Sequence, residues 1–143
     1  LVADRLRRGH VPPDRLCFEI TETSAVRDLS RAQRFISHLR GLGCRFALDD
    51  FGTGFCSFNY LRALDVDYFK IDGSFVRDML RSERDRELVR ASVGVARAFA
   101  AQTVAEYGGD AATAQLLRDL GVDWGQGDGF GHAERPEAQD DRR

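Results

Sequence analysis

An α/β fold built from parallel strand–helix units is the class this sequence predicts. Two patterns predict it. Short β-rich runs alternate along the chain with longer stretches of 3.6-residue apolar period. The runs also end alike, each closing on a polar or charged residue of one face. Alternation of this kind is the signature of a parallel sheet covered by helices.

The elements follow in order. "LVADRLRRGH" reads as the end of a helix, closed by Gly9 and the Pro12-Pro13 pair. "RLCFEI", 15–20, is a first strand. From Asp28 to Leu42 the apolar positions Leu29, Ala32, Phe35, Ile36, Leu39 and Leu42 recur at helical spacing, with Gly41 and Gly43 at the end. "RFALDD" is a second strand and "DYFKID", 67–72, a third. A long helix is expected from about Glu83 to Ala100, with Leu88, Val89, Val93, Ala96 and Phe99 on its apolar side. "TVAEY" is a fourth strand, Ala112 to Leu120 a helix stopped by Gly121, and "VDWGQG" a fifth strand. The last residues, 134–143, are charged and read as a solvated or disordered tail.

Composition bounds the function. The chain has 143 residues, 43% of them apolar and 31% charged, as in one soluble domain. Its net charge of −2 gives no basic footprint for duplex nucleic acid. No apolar stretch approaches the ~20 residues of a membrane span, and none reads as a signal peptide. Cys17, Cys44 and Cys56 lack metal-type spacing and read as buried, reduced thiols of a cytoplasmic protein.

The period-2 rule sorts the strand residues. Cys17 and Glu19 share a face, as do Ala47 and Asp49, Tyr68 and Lys70, Val104 and Glu106, and Trp124 and Gln126. Each strand thus delivers one functional-looking group to one end. In a (β/α) barrel that end is the carboxyl-terminal mouth, where active sites sit. A single strand-end carboxylate is ordinarily an N-cap or a surface charge. An aligned set is harder to explain that way, because buried charges need partners.

Glu19, Asp49, Asp50 and Glu106 are hard oxygen ligands suited to Mg²⁺ or Mn²⁺. Two ions sharing a carboxylate would relieve their repulsion and suit displacement at phosphorus. Lys70 could supply a point charge to a phosphate or an attacking water. Gln126 can donate and accept. Gly52 and Gly54 in "DFGTG" could simply form a tight turn. The letters DFG also occur in protein kinases, whose other signatures are absent here.

"FEITET", "LDDFGTG", "VDYFKID", "VAEY" and "GVDWGQG", in this order, resemble the EAL-domain family of bacterial cyclic-di-GMP phosphodiesterases over residues 1–133. The resemblance implies a modified (β/α)₈ TIM-type barrel and hydrolysis of cyclic di-GMP to 5′-pGpG with two metal ions. It implies that Glu19, Asp49, Asp50 and Glu106 are ligands, Asp49 bridging. Lys70 and Glu106 would be catalytic, and Gln126 and Asp72 would contact substrate. Glu22 would anchor the loop that holds Gly52 and Gly54, which couples metal binding to dimerisation. A homodimer and an upstream GGDEF or sensory domain are family associations.

The chain also departs from the pattern. The naming Glu-Ala-Leu motif and a site asparagine do not occur. About five parallel βα units are expected, with the amino-terminal strands of the barrel missing. Val104, Ala47 and Trp124 would then meet water. Tyr107 and Gly109 stand where the family has glycine and glutamate, Asp128 where an aromatic is usual, and Ala133 where proline is usual. The alternative is therefore a degenerate EAL domain that binds the nucleotide or a partner protein without hydrolysis. A third reading is another Mg²⁺-dependent barrel enzyme.

Overall fold

The computed structural model describes residues 2–9, 11–54, 56–106 and 109–128. Tyr107, Ala133 and the expected tail 134–143 lie outside them.

Among the described residues the sheet has five strands, all parallel and in chain order: β1 (Cys17–Thr21), β2 (Arg45–Phe51), β3 (Tyr68–Ile71), β4 (Gln102–Glu106) and β5 (Trp124–Gln126). This order leaves β1 and β5 as its edges. The helices are α1 (Val2–Arg8), α2 (Glu22–Arg27), α3 (Leu29–Arg40), α4 (Phe58–Ala63), α5 (Gly73–Arg77), α6 (Glu83–Ala98) and α7 (Ala111–Asp119).

The helix starts are chemically marked. Side chains of Thr21, Asp28, Ser57, Asp72, Ser82 and Asp110 accept backbone N–H groups at the starts of α2 to α7, satisfying donors that a helix leaves orphaned. In α3, Ala32, Ile36 and Leu39 form the buried stripe; in α6 it is Val89, Ser92, Val93 and Ala96. Phe35 and Leu88, expected inside, are each 41% exposed because they lie at the margins of those stripes. Phe35 still meets Phe18 and Phe46 edge-on, at 6.0 and 5.8 Å.

Alternate strand residues point to opposite layers. Phe46, Leu48, Phe69 and Ile71 are buried in the core with Ile36, Leu39, Val76, Val89 and Val93 from the helices. The other set, Cys17, Glu19, Ala47, Tyr68, Lys70, Val104, Trp124 and Gln126, lines an open cleft of about 320 Å³. Trp124 is 57% exposed there, while Ala47 is buried, contrary to expectation. Register explains it, since Glu19 and Tyr68 flank that methyl group on either side. Cys17 is exposed rather than buried, because it begins an edge strand on this uncovered face; Cys44 is buried and Cys56 half-buried.

Two aspartates pin the strands. Asp67, just before β3, accepts the Phe46 N–H of β2 at 2.8 Å; Asp123, just before β5, accepts the Thr103 N–H of β4 at 2.8 Å. The same device therefore fixes the stagger of two neighbouring strand pairs, and with it the level at which the strand ends meet.

Candidate metal and phosphodiester site

The strand ends converge as the period-2 rule requires, with one exception. Asp49 and Asp50 are adjacent, so a regular strand would aim them at opposite faces. Instead β2 bulges. Leu48 pairs with Phe69 but Phe51 pairs with Ile71, leaving one extra residue in β2. Asp50 takes up the difference at φ 55°, a left-handed conformation that Asp tolerates better than most residues. The two carboxylates thereby reach one site. Ligand oxygens of Asp49, Asp50 and Glu106 all lie within 4.8 Å of one another.

Lys70 enters this acidic group from β3. Its Nζ donates to Glu19 Oε1 at 2.8 Å and pairs with Glu106 Oε1 at 2.9 Å and Asp49 Oδ1 at 3.7 Å. The side chain is only 6% exposed. Burial pulls the ammonium down, but the hydrogen bonds to Glu19 and Glu106 and the surrounding negative charge outweigh it, so the net direction is upward. Lys70 is charged at neutral pH. Asp50 shows the complementary effect: burial raises its carboxyl, and the charges of Asp49 and Asp72 raise it further. The group repels itself and favours a cation.

Glu19 joins Lys70 rather than the three-carboxylate cluster. It projects from the edge strand β1, and the ammonium lies between it and Glu106. Asp72 accepts the Ser74 N–H at 2.8 Å as the N-cap of α5, with its charge felt at Asp50. Gln126 is paired in register with Glu106 and lines the cleft with Tyr68 and Trp124.

Glu22 opens α2 immediately after the carboxyl end of β1. It is 3% exposed and accepts the N–H groups of Gly54 at 3.0 Å and Cys56 at 3.2 Å. This tethers the turn after Asp50. A Cβ at Gly54 would lie 3.2 Å from the Glu22 carboxylate. Gly52, at φ +96°, has the Phe75 ring 3.1 Å from where its Cβ would be. Both positions therefore require close approach of backbone to a neighbour. The sequence pattern missed the bulge at Asp50, although a DD pair before a glycine turn was its signal.

The model of the EAL domain family matches residues 1–133. The chain belongs to the EAL domain family. EAL domains have the TIM-barrel fold, and these parallel βα units are part of such a barrel. A relative from Shewanella oneidensis, cyclic di-GMP phosphodiesterase PdeB, is 41% identical over 121 residues, covering 85% of this chain and 14% of that protein. The Escherichia coli cyclic di-GMP phosphodiesterase PdeF is 36% identical over 126 residues, covering 88% of this chain and 17% of that protein. The solved PaMucR phosphodiesterase in complex with c-di-GMP superposes with a TM-score of 0.87 at 32% identity, over 92% of this chain and 53% of that one. The chain thus spans less than a fifth of those two curated relatives. The EAL cluster of Asp49, Asp50 and Glu106 fits a divalent cation by its donor set, three hard oxygens and no softer ligand. No described helix of this EAL chain is long and apolar enough to cross a membrane.

Proposed function

We propose that this chain carries the catalytic mouth of a Mg²⁺- or Mn²⁺-dependent phosphodiesterase that hydrolyses cyclic di-GMP to 5′-pGpG. The observation that carries this reading is the convergence of Asp49, Asp50 and Glu106 beside Lys70 at the rim of the cleft, in a chain of the EAL family.

Asp49, Asp50 and Glu106, with Glu19 as a further ligand, would hold two divalent ions in the complete site. When bound, the metal supplies Lewis acidity to a phosphoryl oxygen and lowers the pKa of water. The chain's own groups do the rest. The cleft seats one guanylate half of the substrate, with Gln126 reading a base edge and Tyr68 and Trp124 offering aromatic faces. The Lys70 ammonium neutralises negative charge as it grows on phosphorus. Water attacks phosphorus and gives up a proton, the bond to the 3′-oxygen breaks, and the departing 3′-oxygen takes up a proton to become the 3′-hydroxyl. Asp72, the N-cap of α5, adds negative charge beside Asp50 and would contact substrate, and Glu22 holds the turn in place.

This reading places the chain in the cytoplasm. Family association adds a homodimer whose Glu22-held turn couples site and interface, and a GGDEF or sensory domain as a companion of the EAL domain. The test is incubation of the purified full-length protein with cyclic di-GMP and Mg²⁺, followed by chromatography. Appearance of 5′-pGpG is expected. Tight nucleotide binding with no product would favour a non-hydrolytic EAL domain, the reading that Tyr107 and Gly109 support. In that event the double change Tyr107→Gly, Gly109→Glu should restore turnover.

A further inference from the structure

Lys70 holds more carboxylates than a group waiting for substrate needs. An ammonium has three N–H donors. Here they face Glu19 of β1, Asp49 of β2 and Glu106 of β4, at 2.8, 3.7 and 2.9 Å. Four of the sheet's five strands are thus tied together through one nearly buried cation. Two of those carboxylates, Asp49 and Glu106, also belong to the cluster suited to a metal ion. The ammonium and an arriving dication therefore share the same negative groups, and at such distances two positive charges in a partly buried site repel strongly.

We propose that Lys70 is the resident counter-ion of the metal site: it holds Glu19, Asp49 and Glu106 converged before any metal arrives, and a divalent ion binds in competition with it. The proposal rests on the reading of Asp49, Asp50 and Glu106 as metal ligands. It gives Lys70 a positioning role separate from anything it does at phosphorus. Two consequences follow, with opposite signs. Without metal, loss of the Lys70 charge leaves facing carboxylates unneutralised and weakens the fold. With metal, the same loss removes a competitor and tightens binding. Lys70 thereby sets the divalent-ion concentration at which the site fills. A lysine that only oriented water would leave metal affinity unchanged. One that helped retain the ion would weaken binding on removal.

The experiment uses the full-length protein stripped with chelator, as wild type, Lys70→Met and Lys70→Arg. Thermal unfolding is followed without metal, and Mn²⁺ binding is measured by calorimetry. Lys70→Met should unfold at lower temperature without metal, yet bind Mn²⁺ roughly tenfold more tightly, a modest share of the repulsion available in such a site. Lys70→Arg keeps the charge and should stay close to wild type in affinity. Unchanged or weaker Mn²⁺ binding in Lys70→Met overturns the proposal. Absence of Mn²⁺ binding in the wild type rejects the metal-site reading itself, and the two failures are thus separable. Should Lys70→Met not fold, the ¹⁵N resonance of the wild-type Lys70 ammonium decides. It should show hydrogen-bond coupling to carboxylates without metal and lose it with the same midpoint as Mn²⁺ binding. Coupling that persists at saturating Mn²⁺ contradicts competition.

Discussion

Asp50 shows what single residues contribute and what their letters conceal. Its type pointed to a metal ligand; its direction depended on a bulge and on φ 55°. Asn tolerates the same conformation and lacks the charge that Asp49 and Asp72 oppose. Asp50→Asn should therefore leave metal-free thermal stability equal or higher while weakening metal binding at least about tenfold, since a charged ligand is lost. Lower metal-free stability would show that the carboxylate is needed for the bulge itself. Cys56 offers a pH test beside the same turn. Burial, helped by the nearby Glu22 charge, pushes its thiol up to about 11. At pH 8 only about one thousandth would be thiolate, against roughly a quarter for an ordinary cysteine. Its alkylation should accordingly be slow and accelerate through pH 10–11, followed by mass spectrometry. A rate that levels off near pH 9 would contradict the burial and charge assigned to it. The exposed Cys17 was misread from its apolar neighbours, because edge position is a property of the sheet and not of the local run.

Long elements were legible because their burial repeats. The stripes of α3 and α6 span several turns, and the strands alternate, so periodicity found them. The helices α2, α4 and α5 have six, six and five residues, too few turns to establish a period. Their visible marks were the caps Thr21, Ser57 and Asp72. Of these, α2 matters most, because it carries Glu22 to the turn. Glu22→Ala would leave the Gly54 and Cys56 N–H groups without their acceptor. A hydrogen bond to a charged group contributes about 1.5–3 kcal/mol. Thermal unfolding should register that loss, and amide exchange at Gly54 and Cys56 should rise at least about tenfold, as 1.4 kcal/mol implies. Unchanged exchange would mean that the turn is held by something other than Glu22. Glu22→Gln retains one acceptor oxygen and should give a smaller effect.

At the scale of the whole molecule, the sheet formed by the described residues is open. Among them five parallel strands end on the edges β1 and β5, and a closed barrel of this kind needs eight. One face is covered by helices; the other presents Trp124 and the cleft to solvent. The sequence disclosed this through strand counting, whereas the shielding of Ala47 depended on register, which single-strand patterns do not contain. Open parallel edges pair readily with other chains. Residues 1–143 expressed alone should therefore self-associate in light scattering, bind Mg²⁺ weakly and show no turnover. A soluble monomer with Mg²⁺-dependent activity would mean that the site needs no further strands. The measurement closest to the central claim is made on the full-length protein: hydrolysis of cyclic di-GMP in Mg²⁺ by wild type and by Asp49→Asn. Wild type should yield 5′-pGpG, lose that activity to a chelator, and exceed Asp49→Asn by at least about 100-fold, because the side chain keeps its shape but loses the charge that would hold the metal. Equal turnover by Asp49→Asn would contradict a metal-dependent site at the end of β2.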